Sequence, residues 1–169
     1  MPIKIKAALA ALFFLSQPVL AGQLTQVKLE PIAHVEATLV IVAADGTERS
    51  YTPADLEQFQ TYSLNTATPW RDDPADFQGV LLNDILAANG LDVADAIIVT
   101  AENDYSTEIT RALMSSVTIL VATRVNGAAH TRRERGPIQF IIDMDEYNAS
   151  ELTSSSNLVW MAARIEAQS

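Results

Sequence analysis

The sequence predicts an α+β fold, with mainly antiparallel or mixed β-sheets and two or three short helices. Three observations carry that expectation. Short β-branched runs recur along the chain, and two of the gaps between them hold Asp45-Gly46 and Asn126-Gly127, the strongest two-residue hairpin signals. One segment, Leu82 to Ala88, shows a clear helical period. No repeat, low-complexity block or linker divides the 169 residues, a length that suits one domain.

The first segment reads as an address. Lys4 and Lys6 form a charged start, Ala7 to Leu15 is apolar, Pro18 breaks the run, and Val19-Leu20-Ala21 offers small residues for a signal peptidase. The apolar stretch is well short of the ~20 residues that span a bilayer. The expectation is cleavage after Ala21, a single domain over residues 22–169, and a periplasmic or secreted, soluble protein that does not insert into the membrane.

Within that domain the elements follow in order. Ala37 to Ala43 is a strand, Asp45-Gly46 turns it, and Thr47 to Tyr51 returns. Thr52-Pro53-Ala54-Asp55 starts a short helix, with Thr52 as N-cap and Pro53 at its first position. Leu56 and Phe59 would face the core. Thr61 to Thr66 is a strand, and Thr68 to Pro74 a polar loop. In the helix Leu82 to Ala88, the residues Leu82, Ile85 and Leu86 share one face, and Asn89-Gly90 supplies a left-handed cap. Strands are expected at Ala96 to Ala101, Tyr105 to Thr110, Val117 to Val125, Ala128 to Thr131, Pro137 to Ile142 and Leu158 to Glu166.

Composition excludes more than it suggests. Eleven cations face 21 acids, a formal charge of -10, and losing Lys4 and Lys6 makes it two units more negative. Such a surface lacks the basic footprint that nucleic acid or an anionic membrane requires. The chain contains no cysteine. Disulfides, thiolate nucleophiles, cysteine metal sites and c-type haem are therefore excluded. Lys28 is the one lysine left after cleavage, which speaks against lysine-based covalent catalysis.

Several motifs fail on inspection. Asp143-Met144-Asp145 resembles the start of a calcium loop, but Asn148 stands where the glycine is required and Ser154 where the glutamate is required. Asp143, Asp145 and Glu146 are read as a solvated loop. His34 and His130 lack metal-ligand spacing and are read as surface or strand-edge residues rather than catalytic bases. Arg124, Arg132, Arg133 and Arg135 crowd positive charge into one short stretch. That stretch is either an anion site or is neutralised internally by the abundant acids.

The order of segments resembles the molybdopterin-binding domain of the sulfite oxidase family. The resemblance rests on Tyr62-Ser63-Leu64-Asn65-Thr66, on Phe77-Gln78-Gly79-Val80-Leu81-Leu82-Asn83-Asp84-Ile85-Leu86 running on to Gly90, and on Asn103-Asp104-Tyr105. Arg135-Gly136-Pro137-Ile138 and the stretch Asn157 to Glu166, around Trp160, complete it. These motifs span most of residues 37–167, and they imply a sulfite oxidase-like fold and a molybdopterin cofactor. The family's metal-ligating cysteine falls at Thr66, and a neutral hydroxyl is a poor substitute for a soft thiolate.

The expectation is therefore a pseudoenzyme: a ligand-binding, sensing or accessory domain with no catalytic residue and no cofactor. Its cleft would lie between Thr66 to Arg71, the Asn103-Asp104-Tyr105 turn and the arginine cluster. Trp70 and Tyr105 would form flat walls, unless they simply plug the core, while Arg71, Arg132 and Arg133 would attract an anionic small molecule. A membrane-bound signalling or redox protein is the expected partner class. The alternative is a molybdopterin-dependent oxidoreductase whose metal is held without cysteine.

Overall fold

The computed structural model describes residues 23–168, so the expected signal segment lies outside the described residues. In chain order the strands are β1 (Thr25–Val27), β2 (Leu39–Val42), β3 (Glu48–Tyr51), β4 (Thr61–Thr68), β5 (Arg71–Leu81) and β6 (Ala96–Ala101). They continue as β7 (Ser106–Thr110), β8 (Ile119–Val125), β9 (Ala128–Ala129), β10 (Gln139–Ile142) and β11 (Ala162–Ala167). Among the described residues four short α-helices interrupt them: α1 (Pro53–Leu56), α2 (Leu82–Ala88), α3 (Arg111–Ser116) and α4 (Met144–Ala149).

These strands form two sheets, one ordered β1-β4-β5-β8-β10 with β9 beside β8, the other ordered β3-β2-β11-β6-β7. Every ladder is antiparallel except β11 on β2, so the second sheet is mixed. Leu39 and Ile41 of β2 share one buried cluster with Val80 of β5, Val121 of β8 and Phe140 of β10. The main core therefore lies between the sheets. A smaller cluster, including Leu64, Phe77, Leu120 and Ile141, covers the other face of the larger sheet. All of β8 is buried as a result, which explains its apolar run from Ile119 to Ala122. The α+β fold expected from the sequence is the fold observed.

Local signals worked where they were strongest. Thr52 caps α1 in a reciprocal box with Asp55. Helix α2 begins and ends as expected, with Leu82, Ile85 and Leu86 buried. Asn126 and Gly127 have φ of 50° and 77°, the left-handed pair a tight β8–β9 hairpin needs.

Three expectations are corrected. The polar loop expected over Thr68 to Pro74 is a two-residue turn, Pro69-Trp70, with Thr68 paired to Arg71. Pro74 is accommodated where the β4–β5 ladder shifts register. The solvated loop expected at Asp143 to Glu146 is the start of α4. Asp143 is buried and caps the helix through Asp145 N, and Glu146 accepts a 2.6 Å hydrogen bond from Thr118 N. Lastly, Leu158 to Glu166 is not one strand. Residues 158–161 are irregular and β11 starts only at Ala162.

Candidate functional site

The β4–β5 turn lifts Trp70 out of the sheet to a relative exposure of 36 %. There its ring meets Trp160 edge-on, with 4.6 Å between centroids. These are the two tryptophans of the sequence, and they converge on one place. The guanidinium of Arg135 lies 4.6 Å from the Trp160 ring and 5.5 Å from the Trp70 ring. A cation over two indole faces is a favourable arrangement. It is also one that leaves the charge without a carboxylate.

Two clefts share Trp70 as a wall. The larger, about 310 Å³, is lined by Trp70, Tyr105 and Trp160, with Asn103, Ser155 and Ser156 among the polar groups at its sides. The smaller, about 180 Å³, is lined by Thr68, Arg71, Arg133, Arg135 and His130, with the Glu134 carboxylate as an opposing charge. One lobe is aromatic and the other cationic.

The backbone that holds the walls is unusual. Arg135 has φ 78° and Met161 φ 50°, left-handed conformations that cost a residue with a side chain roughly 1–2 kcal/mol each. The two are joined directly, Met161 N donating to Arg135 O at 3.1 Å. Strain of this kind persists where surrounding contacts over-determine it, and it clusters at ligand sites. Here it fixes both Arg135 and Trp160.

His130 supports the cationic lobe from below. It is 1 % exposed, and its Nε2 sits 2.8 Å from Gln139 Oε1. A Cβ on Gly136 would come within 2.5 Å of the imidazole, so glycine permits this close approach. Burial pushes the His130 pKa below its ordinary value and outweighs the Gln139 hydrogen bond, so the ring is held neutral. The expectation that His130 and His34 are surface or strand-edge residues is corrected as to exposure: the His34 side chain is also shielded, with Nε2 3.2 Å from Glu57 Oε2.

The structure separates the candidate residues into three groups. Trp70, Asn103 and Tyr105 line the aromatic lobe together, and Arg71 and Arg133 line the cationic lobe. Arg132 is elsewhere, bound to Glu102 through two 2.7 Å hydrogen bonds. Arg124 is buried and clamped by Glu57. Internal neutralisation thus holds for Arg124 and Arg132 but not for Arg133 and Arg135, which have no carboxylate partner among the described residues. Thr66 is 3 % exposed and lines neither cleft; its hydroxyl accepts from Met144 N at 2.9 Å. Sequence reasoning missed Trp160 and the stacking role of Arg135. A second tryptophan beside a cluster of serines was the available signal.

The chain is an α+β domain whose candidate site has an aromatic and a cationic lobe. Among solved structures the chain is similar to the sulfane dehydrogenase SoxCD from Paracoccus pantotrophus, with a TM-score of 0.58 and 14 % identity. The match covers 82 % of this chain but 39 % of that one, so the chain spans well under half of its neighbour's length. That likeness concerns the fold. No protein-family model matches the sequence, and no curated protein does.

The residues present do not fit a cysteine-held molybdenum cofactor. There is no thiolate anywhere in the sequence. The hydroxyl at the corresponding position is turned to the start of α4 and already hydrogen-bonded. A buried hydroxyl so engaged offers a metal no anionic donor.

Proposed function

We propose that this chain is an exported, non-catalytic binding or sensing module, a pseudoenzyme on a sulfite oxidase-like fold. It acts in the periplasm after loss of residues 1–21, takes a small molecule in the Trp70–Trp160 cleft, and reports to a membrane-bound signalling or redox partner. The observation that carries this reading is the convergence of Trp70, Tyr105 and Trp160 on one concave surface of about 310 Å³. Aromatic walls with a few polar groups are the usual make-up of a small-molecule site.

Native mass spectrometry of protein drawn from the periplasm, without prior dialysis, tests the reading. The expected result is a small organic adduct that Trp160→Ala loses while the far-ultraviolet circular dichroism stays unchanged. An adduct that survives this change, or none at any protein concentration, contradicts it. The fold shared with SoxCD favours a second reading, a molybdopterin oxidoreductase whose metal is held without cysteine. It requires a pterin mass and stoichiometric molybdenum in the same sample.

A further inference from the structure

We infer that the ligand class of this site is a planar organic anion: an aromatic or heteroaromatic ring bearing a carboxylate. The ring lies in the lobe walled by Trp70 and Trp160, and the acid group in the lobe of Arg71, Arg133 and Arg135. This rests on the binding-module reading above and narrows it.

Four observations select that class. First, the two lobes share Trp70 as a wall, which sets an aromatic face beside the guanidinium groups. Second, their chemistries differ: indole and phenol faces on one side, three guanidinium groups against the single Glu134 carboxylate on the other. Third, Arg135 Nε, on a residue that lines the cationic lobe, is a buried N–H donor with no acceptor among the described residues. Buried donors of this kind are rare because each forfeits its hydration, and a carboxylate supplies acceptors only. Fourth, Arg135 already occupies the cation position between the indoles. An aromatic cage built for a ligand cation would leave that position open and would face acids, not arginines.

Carboxylate is favoured over a doubly charged oxoanion by Glu134, which Thr131 holds at the rim through a 3.2 Å hydrogen bond. Each added negative charge on the ligand would meet that carboxylate. A guanidinium fork matches the two oxygens of a carboxylate directly. Neutral His130 adds no charge to the lobe.

Isothermal titration of the whole exported chain with benzoate and with benzamide, which share a shape and differ in charge, tests the inference. Benzoate should bind at least about tenfold more tightly than benzamide. Arg133→Gln, a change at an exposed side chain, should narrow that difference at least severalfold by weakening benzoate far more than benzamide; an unchanged ratio overturns the inference. Equal affinities for the two probes overturn the inference, and so does binding of inorganic sulfate or phenyl phosphate at or above the affinity of benzoate. Absence of benzoate binding overturns it as well. If a different organic adduct is then found in the native protein, the ligand class fails and the binding module stands. A pterin with molybdenum would end both.

Discussion

Arg124 and Arg135 lie on either side of the Asn126-Gly127 hairpin, and the fold treats them in opposite ways. Arg124 is 4 % exposed, donates to both oxygens of Glu57 at 2.9 and 2.5 Å, and also reaches Glu30 O at 2.8 Å. Thr123 and His34 complete the ring around the same carboxylate. Every charge there is consumed in tying the extended segment before β2 to strand β8. Arg135 instead rests on two indoles with no carboxylate within ion-pair distance among the described residues. The lesson is that a run of arginines in a sequence is not one feature. Its members divide by whether the fold supplies a carboxylate.

That contrast can be broken from either end. The largest effect is expected from Glu57→Ala, which strands the buried Arg124 guanidinium without its partner. A loss of about 3–5 kcal/mol in unfolding free energy should appear in chemical denaturation. A loss under about 1 kcal/mol would mean that water reaches Arg124 and that the network is ordinary surface pairing. Gly136→Ala comes next, at about 1–3 kcal/mol, because its new methyl meets both the imidazole and the backbone of His130. The same variant should displace Arg135 and weaken benzoate binding.

Acid should separate the two regions along the pH axis. His130 has its pKa lowered from 6.5 by burial, so the unfolded chain takes up its proton first. Its contribution to stability is complete above about pH 6.5 and declines as the pH falls from there toward the folded value. For Glu57, burial acts to raise the pKa, but hydrogen bonds from Arg124 and Thr123 and the neighbouring positive charges overcome it and hold it below 4.5. Its contribution is present above about pH 4.5 and is lost on acidification through the lower, folded value. Stability measured against pH should therefore fall in two stages, with His130→Gln removing only the upper one. A single stage confined below pH 4.5 in the native sequence would refute the neutral, buried His130.

The smallest change in stability is expected from Trp70→Ala. Its ring is partly exposed, and the indole pair contributes about 1 kcal/mol beyond the area it buries. Affinity for benzoate should nevertheless drop at least about tenfold. A variant that unfolds would show Trp70 to be a core plug rather than a wall.

Much of this molecule was legible in its sequence where one local rule acted alone. The period of Leu82 to Ala88, the capping box at Thr52 and the left-handed pair at Asn126-Gly127 each specify their element without help from elsewhere. Helix α3 was missed because Leu113 is its one buried side chain, so it carries no apolar period. The charged start of β5 read as a loop because its residues Arg71 to Asp73 are tied into a projecting hairpin and not into the core. Trp70, Asn103 and Tyr105 were singled out by their type and their place beside turns, and the fold brings them to one cleft. Trp160 was hidden inside an expected strand, since nothing local signals that Met161 adopts φ 50°. Thr66 and Arg132 were placed by alignment and by clustering. Which way each side chain turned depended on partners distant in sequence, Met144 and Glu102.

The proposed binding role requires that the chain carry no resident molybdenum. Molybdenum content, measured per chain on protein exported by a molybdenum-replete host, tests it most directly. The prediction is far less than one metal per chain, with no pterin released on denaturation. One molybdenum per chain accompanied by a pterin would contradict it.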